Sequence, residues 1–200
     1  ENKNIVQSLQ FKLCNLKDIN HTISRLATSV VVDDIELYEV KSLALLSADV
    51  KNILEKISLD KIIEIPNLDD VVKILDPDGL RIATFYIYDS YSEELASLRK
   101  KLKEKDVYQE EIYNEVMRIE DEIRAELSSK LKPYSEAMTL ALNALADVNI
   151  NIAKSLQMKE LGLCFPTISS DNISSYKGIF HPEVKSILEK DKREYQKVDI

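Results

Sequence analysis

Twelve apolar side chains recur through the stretch 109–152: Ile112, Val116, Ile119, Ile123, Leu127, Leu131, Tyr134, Met138, Ala141, Leu145, Val148 and Ile152. Their eleven steps cover 40 residues, a mean of about 3.64, which is the period of one α-helical stripe and not of a strand. The step also exceeds the value of about 3.5 that forces a left-handed supercoil, so the stretch reads as a fairly straight rod. At about 1.5 Å per residue such a rod spans on the order of 60 Å. It cannot fold alone, because a single apolar stripe needs a partner to cover it. Pro133 lies inside it and removes one helical hydrogen bond, at about 3 kcal/mol unless a kink relieves the strain. The stripe keeps phase across the proline, so a bend is expected there and not a stop.

A chain of 200 residues, 44% apolar and 31% charged, has enough apolar material for a real core and is not disordered. Three glycines are too few for the turns of a sandwich or barrel, which leaves a mainly α, multi-helical fold. No apolar run is long enough to cross a bilayer and no signal-peptide pattern opens the chain, so no membrane partner is expected. The first residue is Glu1 and not Met, as in an excised piece. Cys14 and Cys164 are far apart and lack metal or redox spacing, which fits reduced structural thiols in a cytoplasmic protein.

The helical core is expected over 1–91. Apolar positions Ile5, Leu9, Leu13 and Leu16 mark a first helix, and Ile19, Ile23 and Leu26 a second. Asp33 and Asp34 offer an N-cap to a long helix through Leu37, Val40, Leu43, Ala44, Leu46 and Val50, with Glu36 in its first turn. Pro66 and Asn67 precede a short helix ending at Leu75, and Asp76-Pro-Asp-Gly is turn chemistry. The β-branched and aromatic run Ile82-Ala-Thr-Phe-Tyr-Ile-Tyr can form a short extended piece. Ser90 or Ser92 caps a further helix through Leu95, Leu98 and Leu102. A hairpin with its tip near 103–110 lets that helix cover part of the returning rod, so 92–160 reads as an antiparallel pair. After Gly162 the composition turns to strands and turns, a small β-containing segment over 161–200.

The formal net charge of −8 repels phosphate backbones on average, so nucleic acid would need a local basic patch. Arg99, Lys100, Lys101, Lys103 and Lys105 form the best candidate; the alternative is a solvated helix end whose cations suit the C-terminal dipole. No phosphate-binding glycine loop, zinc-protease motif or nucleophile elbow is present, so no catalytic or metal-binding residue is assigned. His21 and His181 cannot build a zinc site without distant carboxylates. Glu110, Glu111 and the run Glu120-Asp-Glu alternate with Lys and Arg, as on a solvated helix face. Tyr86, Tyr88 and Tyr91 are expected to pack or shape turns.

Several short motifs, in order, resemble the core and lever region of MutS-type mismatch repair ATPases. Leu16-Lys-Asp-Ile-Asn with Ile23-Ser-Arg-Leu is similar to the opening of that family's core domain. Leu75-Asp-Pro-Asp-Gly, Asp89-Ser-Tyr-Ser-Glu-Glu-Leu and Leu98-Arg-Lys look like the start of its outgoing lever. Pro133-Tyr-Ser-Glu-Ala, Ala144-Leu-Ala-Asp-Val-Asn and Ile152-Ala-Lys look like its returning lever. Phe165-Pro-Thr-Ile-Ser and Gly178-Ile-Phe-His-Pro-Glu-Val match the passage into the ATPase domain. The resemblance implies a parent protein that is a DNA-linked, homodimeric ATPase using ATP and Mg2+, of which 161–200 is the leading edge of a truncated ATPase domain. This piece would itself be no enzyme and would hold no cofactor. The family's clamp belongs between Leu102 and Ile112, where only a few residues stand, so a clamp-lacking member is implied. By position, Tyr195 falls where the family stacks an aromatic ring on adenine. A stand-alone helical scaffold, dimerising through 112–131, is the alternative from a different class.

Overall fold

A computed structural model describes residues 2–103, 109–170 and 173–200, and among these the chain is mainly α-helical. By contact, Glu1–Ile152 forms one compact unit and Ala153–Ile200 a second.

The first unit is built around its longest early helix. Helices α1 (Asn2–Leu13), α2 (Asn20–Ala27) and α4 (Asp69–Leu75) all pack on α3 (Asp34–Lys56). As expected, Asp33 caps α3: its carboxylate accepts from the Glu36 amide while Glu36 accepts from the Asp33 amide, a reciprocal capping box. The buried face of α3 carries Leu37, Val40, Leu43, Ala44, Val50 and Leu54 at helical spacing, interrupted by Lys41 and Ser47. Ser92 caps α5 (Glu93–Leu102) by accepting from the Leu95 amide. Helix α5 packs along α6 (Gln109–Leu131), with Leu95 fully buried and Leu98 and Leu102 resting on the core.

The stripe behaves as its period predicts. Nine of its twelve residues are buried, and Ile112, Tyr134 and Ile152 are half-buried against the same cluster. Pro133 sits in a single 3-10 turn (Lys132–Tyr134) between α6 and α7 (Ser135–Leu161). The flanking residues Leu131 and Ser135 keep right-handed helical dihedrals, so the proline tightens one turn without reversing the chain. Helix α6 is seated on α2 and α4 and on the chain just before α3. There Ser128 Oγ accepts from the Val32 amide at 3.1 Å, and Arg124 grips Asp34 through Nε at 2.7 Å and Nη2 at 3.3 Å.

Helix ends explain how so few glycines suffice. After α2, α3 and α8 (Pro182–Lys190), the residues Ser29, Ser58 and Lys192 adopt positive φ, and the next amide reaches back five residues. These are Schellman closures without the usual glycine; among the described residues only α7 ends on one, Gly162.

Two expectations meet a different structure. Residues 82–88 are irregular, with Ile87 and Tyr88 buried, because their apolar side chains find the helical core and no neighbouring chain offers a ladder. Among the described residues of 161–200 no strand forms; the β character there is one isolated antiparallel bridge, Ile179 to Val198, extended by reciprocal bonds between Tyr176 and Ile200. Cys14 and Cys164 are free but exposed, so neither packs as a structural thiol.

Candidate functional site

The chain between α4 and α5, residues 76–92, holds one half of a buried ion pair and a cluster of tyrosines. It begins with Asp76, whose side chain is only 2% exposed and lies against Lys41, 1% exposed, on the inner face of α3. The Lys41 ammonium donates to Asp76 Oδ1 at 3.1 Å, to the Tyr88 hydroxyl at 3.0 Å and to the Thr84 carbonyl at 3.4 Å. Its three protons therefore have three acceptors, the condition under which a buried cation is tolerable. The other Asp76 oxygen accepts from the Arg81 amide at 2.8 Å. Burial pushes the Asp76 carboxyl up, but the bonds from Arg81 and Lys41 together with the Lys41 charge hold it below its ordinary value.

Aromatic rings close over this pair. Tyr88 meets Phe85 and Tyr86 edge-on, and its face lies 5.3 Å from the Lys41 ammonium. The Tyr91 hydroxyl donates to the Ile74 carbonyl at 2.9 Å, and burial, with nearby Tyr88, Asp76 and Asp78, pushes its ionisation well above the ordinary range. Tyr88 and Tyr91 thus pack and shape the turn as expected. Tyr86 differs: it is half exposed, at 52%, on a shallow groove of about 580 Å³ shared with Leu80, Leu102, Arg99 and Lys103.

That groove brings part of the basic candidate patch to one place. Arg99 is not free within it: Nη1 lies 2.5 Å from Asp89 and Nη2 2.8 Å from Glu120 of α6. Burial lowers its pKa, but the two carboxylates outweigh this and raise it, so it stays charged and already paired. Lys100, Lys101 and Lys103 are exposed and have no ion-pair partner among the described residues. Lys105 and most of the 103–110 tip lie outside the described residues. Of the five candidate cations, three are therefore exposed without an ion-pair partner among the described residues, and one has a structural task.

Four carboxylates of α6 are ion-paired along the helix: Glu120 and Asp121 with Arg124, and Glu115 and Glu122 with Arg118. Tyr195 lies in the second unit, half-buried, where its hydroxyl accepts from the His181 amide at 3.1 Å. His181 in turn caps α8 through Nδ1, which accepts from the Val184 amide. The ring that family position would place on adenine thus supports the start of a helix here.

Sequence reasoning missed Lys41. The available signal was a lysine at a core-facing position, one residue after Val40 and three before Ala44, together with the Asp76 turn. Compared with known proteins, the chain matches no family model, no curated protein and no solved structure.

Proposed function

We propose that this chain is the core and lever region of a clamp-lacking, MutS-type mismatch repair ATPase, relaying ATP-driven rearrangement to a DNA or protein partner. The observation that carries this reading is the stripe 112–152, which holds helical phase through Pro133 and stays buried as far as Val148. Beside it stand the ordered motifs and the packing of α5 on α6, tied by Arg99 to Glu120, as the two limbs of an antiparallel lever hairpin. ATP, Mg2+ and the homodimer contact belong to a cytoplasmic parent protein whose nucleotide-binding loop follows this segment, with Tyr195 near the adenine. Lys100, Lys101, Lys103 and Lys105, with Arg99 behind them, form the patch that would meet phosphates at the lever tip.

The coding sequence downstream of Ile200 tests the family reading: a Gly-Lys-Ser/Thr phosphate loop within the next few tens of residues supports it, and its absence removes it. Duplex binding by fluorescence anisotropy at low salt, before and after charge reversal at Lys101, Lys103 and Lys105, tests the DNA contact. Unchanged affinity takes the tip out of consideration.

A scaffold dimerising through 112–131 is less favoured. Val116, Ile119, Ile123, Leu127 and Leu131 are already covered within one chain, so a partner could reach them only by opening the core.

A further inference from the structure

The connector 80–88 lacks the usual means of holding a shape. No backbone-to-backbone hydrogen bond ties these residues to one another, and the nearest ones, Gly79 to Asp76 and Tyr91 to Tyr88, only close its two ends. Two side chains of α3 reach it: Asp49 pairs with Arg81 at 2.7 Å at the half-exposed start, and Lys41 spans the rest from inside. The Lys41 ammonium bonds the first residue of the turn (Asp76), the middle (Thr84) and the far end (Tyr88), positions 35, 43 and 47 residues away along the chain.

We propose that Lys41 is a latch: it sets the connector, and with it the root of α5, against α3, so that breaking this buried attachment frees 80–92 as a unit while the helices stay folded. The chemistry favours a two-position device over a graded one. A buried ammonium with three acceptors either keeps them all or must return to water with its charge, because a half-satisfied buried cation is the costliest state. Opening leaves the root of α5 held by the Tyr91–Ile74 bond and by buried Leu95, and the connector by the half-exposed Arg81–Asp49 pair. The latch stands on the geometry of the first unit and needs no nucleotide or DNA, so it survives the loss of the proposed function.

Hydrogen exchange of the full chain, read by mass spectrometry in wild type, Lys41→Met and Asp76→Asn, tests it. Exchange at the bonded amides at the two ends of 80–92, Arg81, Tyr91 and Ser92, should rise tenfold or more in both variants, with peptides covering 116–127 of α6 unchanged and the helical far-ultraviolet spectrum kept. No rise in 80–92 means that Ile87 and Tyr88 hold the connector by apolar packing, which overturns the latch. An equal rise in α6 makes the pair a global stabiliser, and also overturns it. Should Lys41→Met lose its helical spectrum, Tyr88→Phe decides, since it removes one acceptor and keeps the pair: a rise confined to 80–92 supports the latch, and none overturns it.

Discussion

The two units of this chain differ in what a helix is asked to do. In 2–152, amphipathic helices share one apolar cluster in which Leu26, Leu37, Leu75, Leu95, Leu131, Met138 and Leu145 are almost wholly removed from water. In 153–200 no described residue is buried, and Phe165, Ile168, Ile173, Tyr176, Ile187 and Ile200 all stand exposed. The second unit still has a capped helix, a glycine closure and a bridge, so local rules are satisfied in both. Local rules place elements; only shared burial makes them stable, because propensity and caps contribute far less than a filled core.

Core truncation is the harshest test of that contrast. Leu131→Ala or Leu145→Ala should cost about 2–5 kcal/mol in urea unfolding, whereas Ile187→Ala should change it by no more than about 0.5 kcal/mol. Comparable losses at both sites would mean that the second unit has a core of its own. Breaking the buried ion pair acts on the connector and not on the rod. Lys41→Met leaves Asp76 unpaired, release of 80–92 returns that carboxylate to water, and urea unfolding of the helices should shift by less than either leucine truncation; replacing both partners by apolar residues should keep 80–92 closed.

The same pair sets an acid limit. Asp76 is held below its unfolded value, so its contribution is complete above about pH 4 and is lost as pH falls through the lower folded value. Acid unfolding followed by circular dichroism should therefore show a smaller stability loss below pH 4 in Asp76→Asn than in wild type. A smaller cost attaches to Ser128→Ala, which strips the buried Val32 amide of its acceptor, at about 1–3 kcal/mol. The mildest change goes the other way: Ser58→Gly relieves a positive φ of 57° after α3 and should stabilise by up to about 1 kcal/mol. A loss there would show that the serine has a task beyond the turn.

Much of the first unit was legible because it follows from neighbours in sequence. The 3.6-residue stripe, the Asp33 and Ser92 caps, and the turn at Asp76 are all local patterns, and each reappears in the structure. What was not legible depends on distance. Lys41 and Tyr88 meet across 47 residues, and Arg124 and Asp34 across 90, with no periodicity to announce either pair. The run 82–88 reads as a short extended piece by composition, yet it forms no strand and its buried residues Ile87 and Tyr88 are used by the helical core. The basic tip shows the same limit: charge counts alone could not separate Arg99, held between Asp89 and Glu120, from its exposed lysine neighbours.

Everything built on the first unit depends on α6 and α7 continuing as one rod through Pro133. Spin labels at Asn114 and Asn149, both exposed, in a chain with Cys14 and Cys164 replaced by serine, measure this by double electron–electron resonance. Thirty-five residues at about 1.5 Å each predict a separation near 50 Å, a few ångströms less for a gentle bend. A distance under about 30 Å would mean that the chain turns back at Pro133. The stripe would then be two short faces, and no lever could be drawn along it.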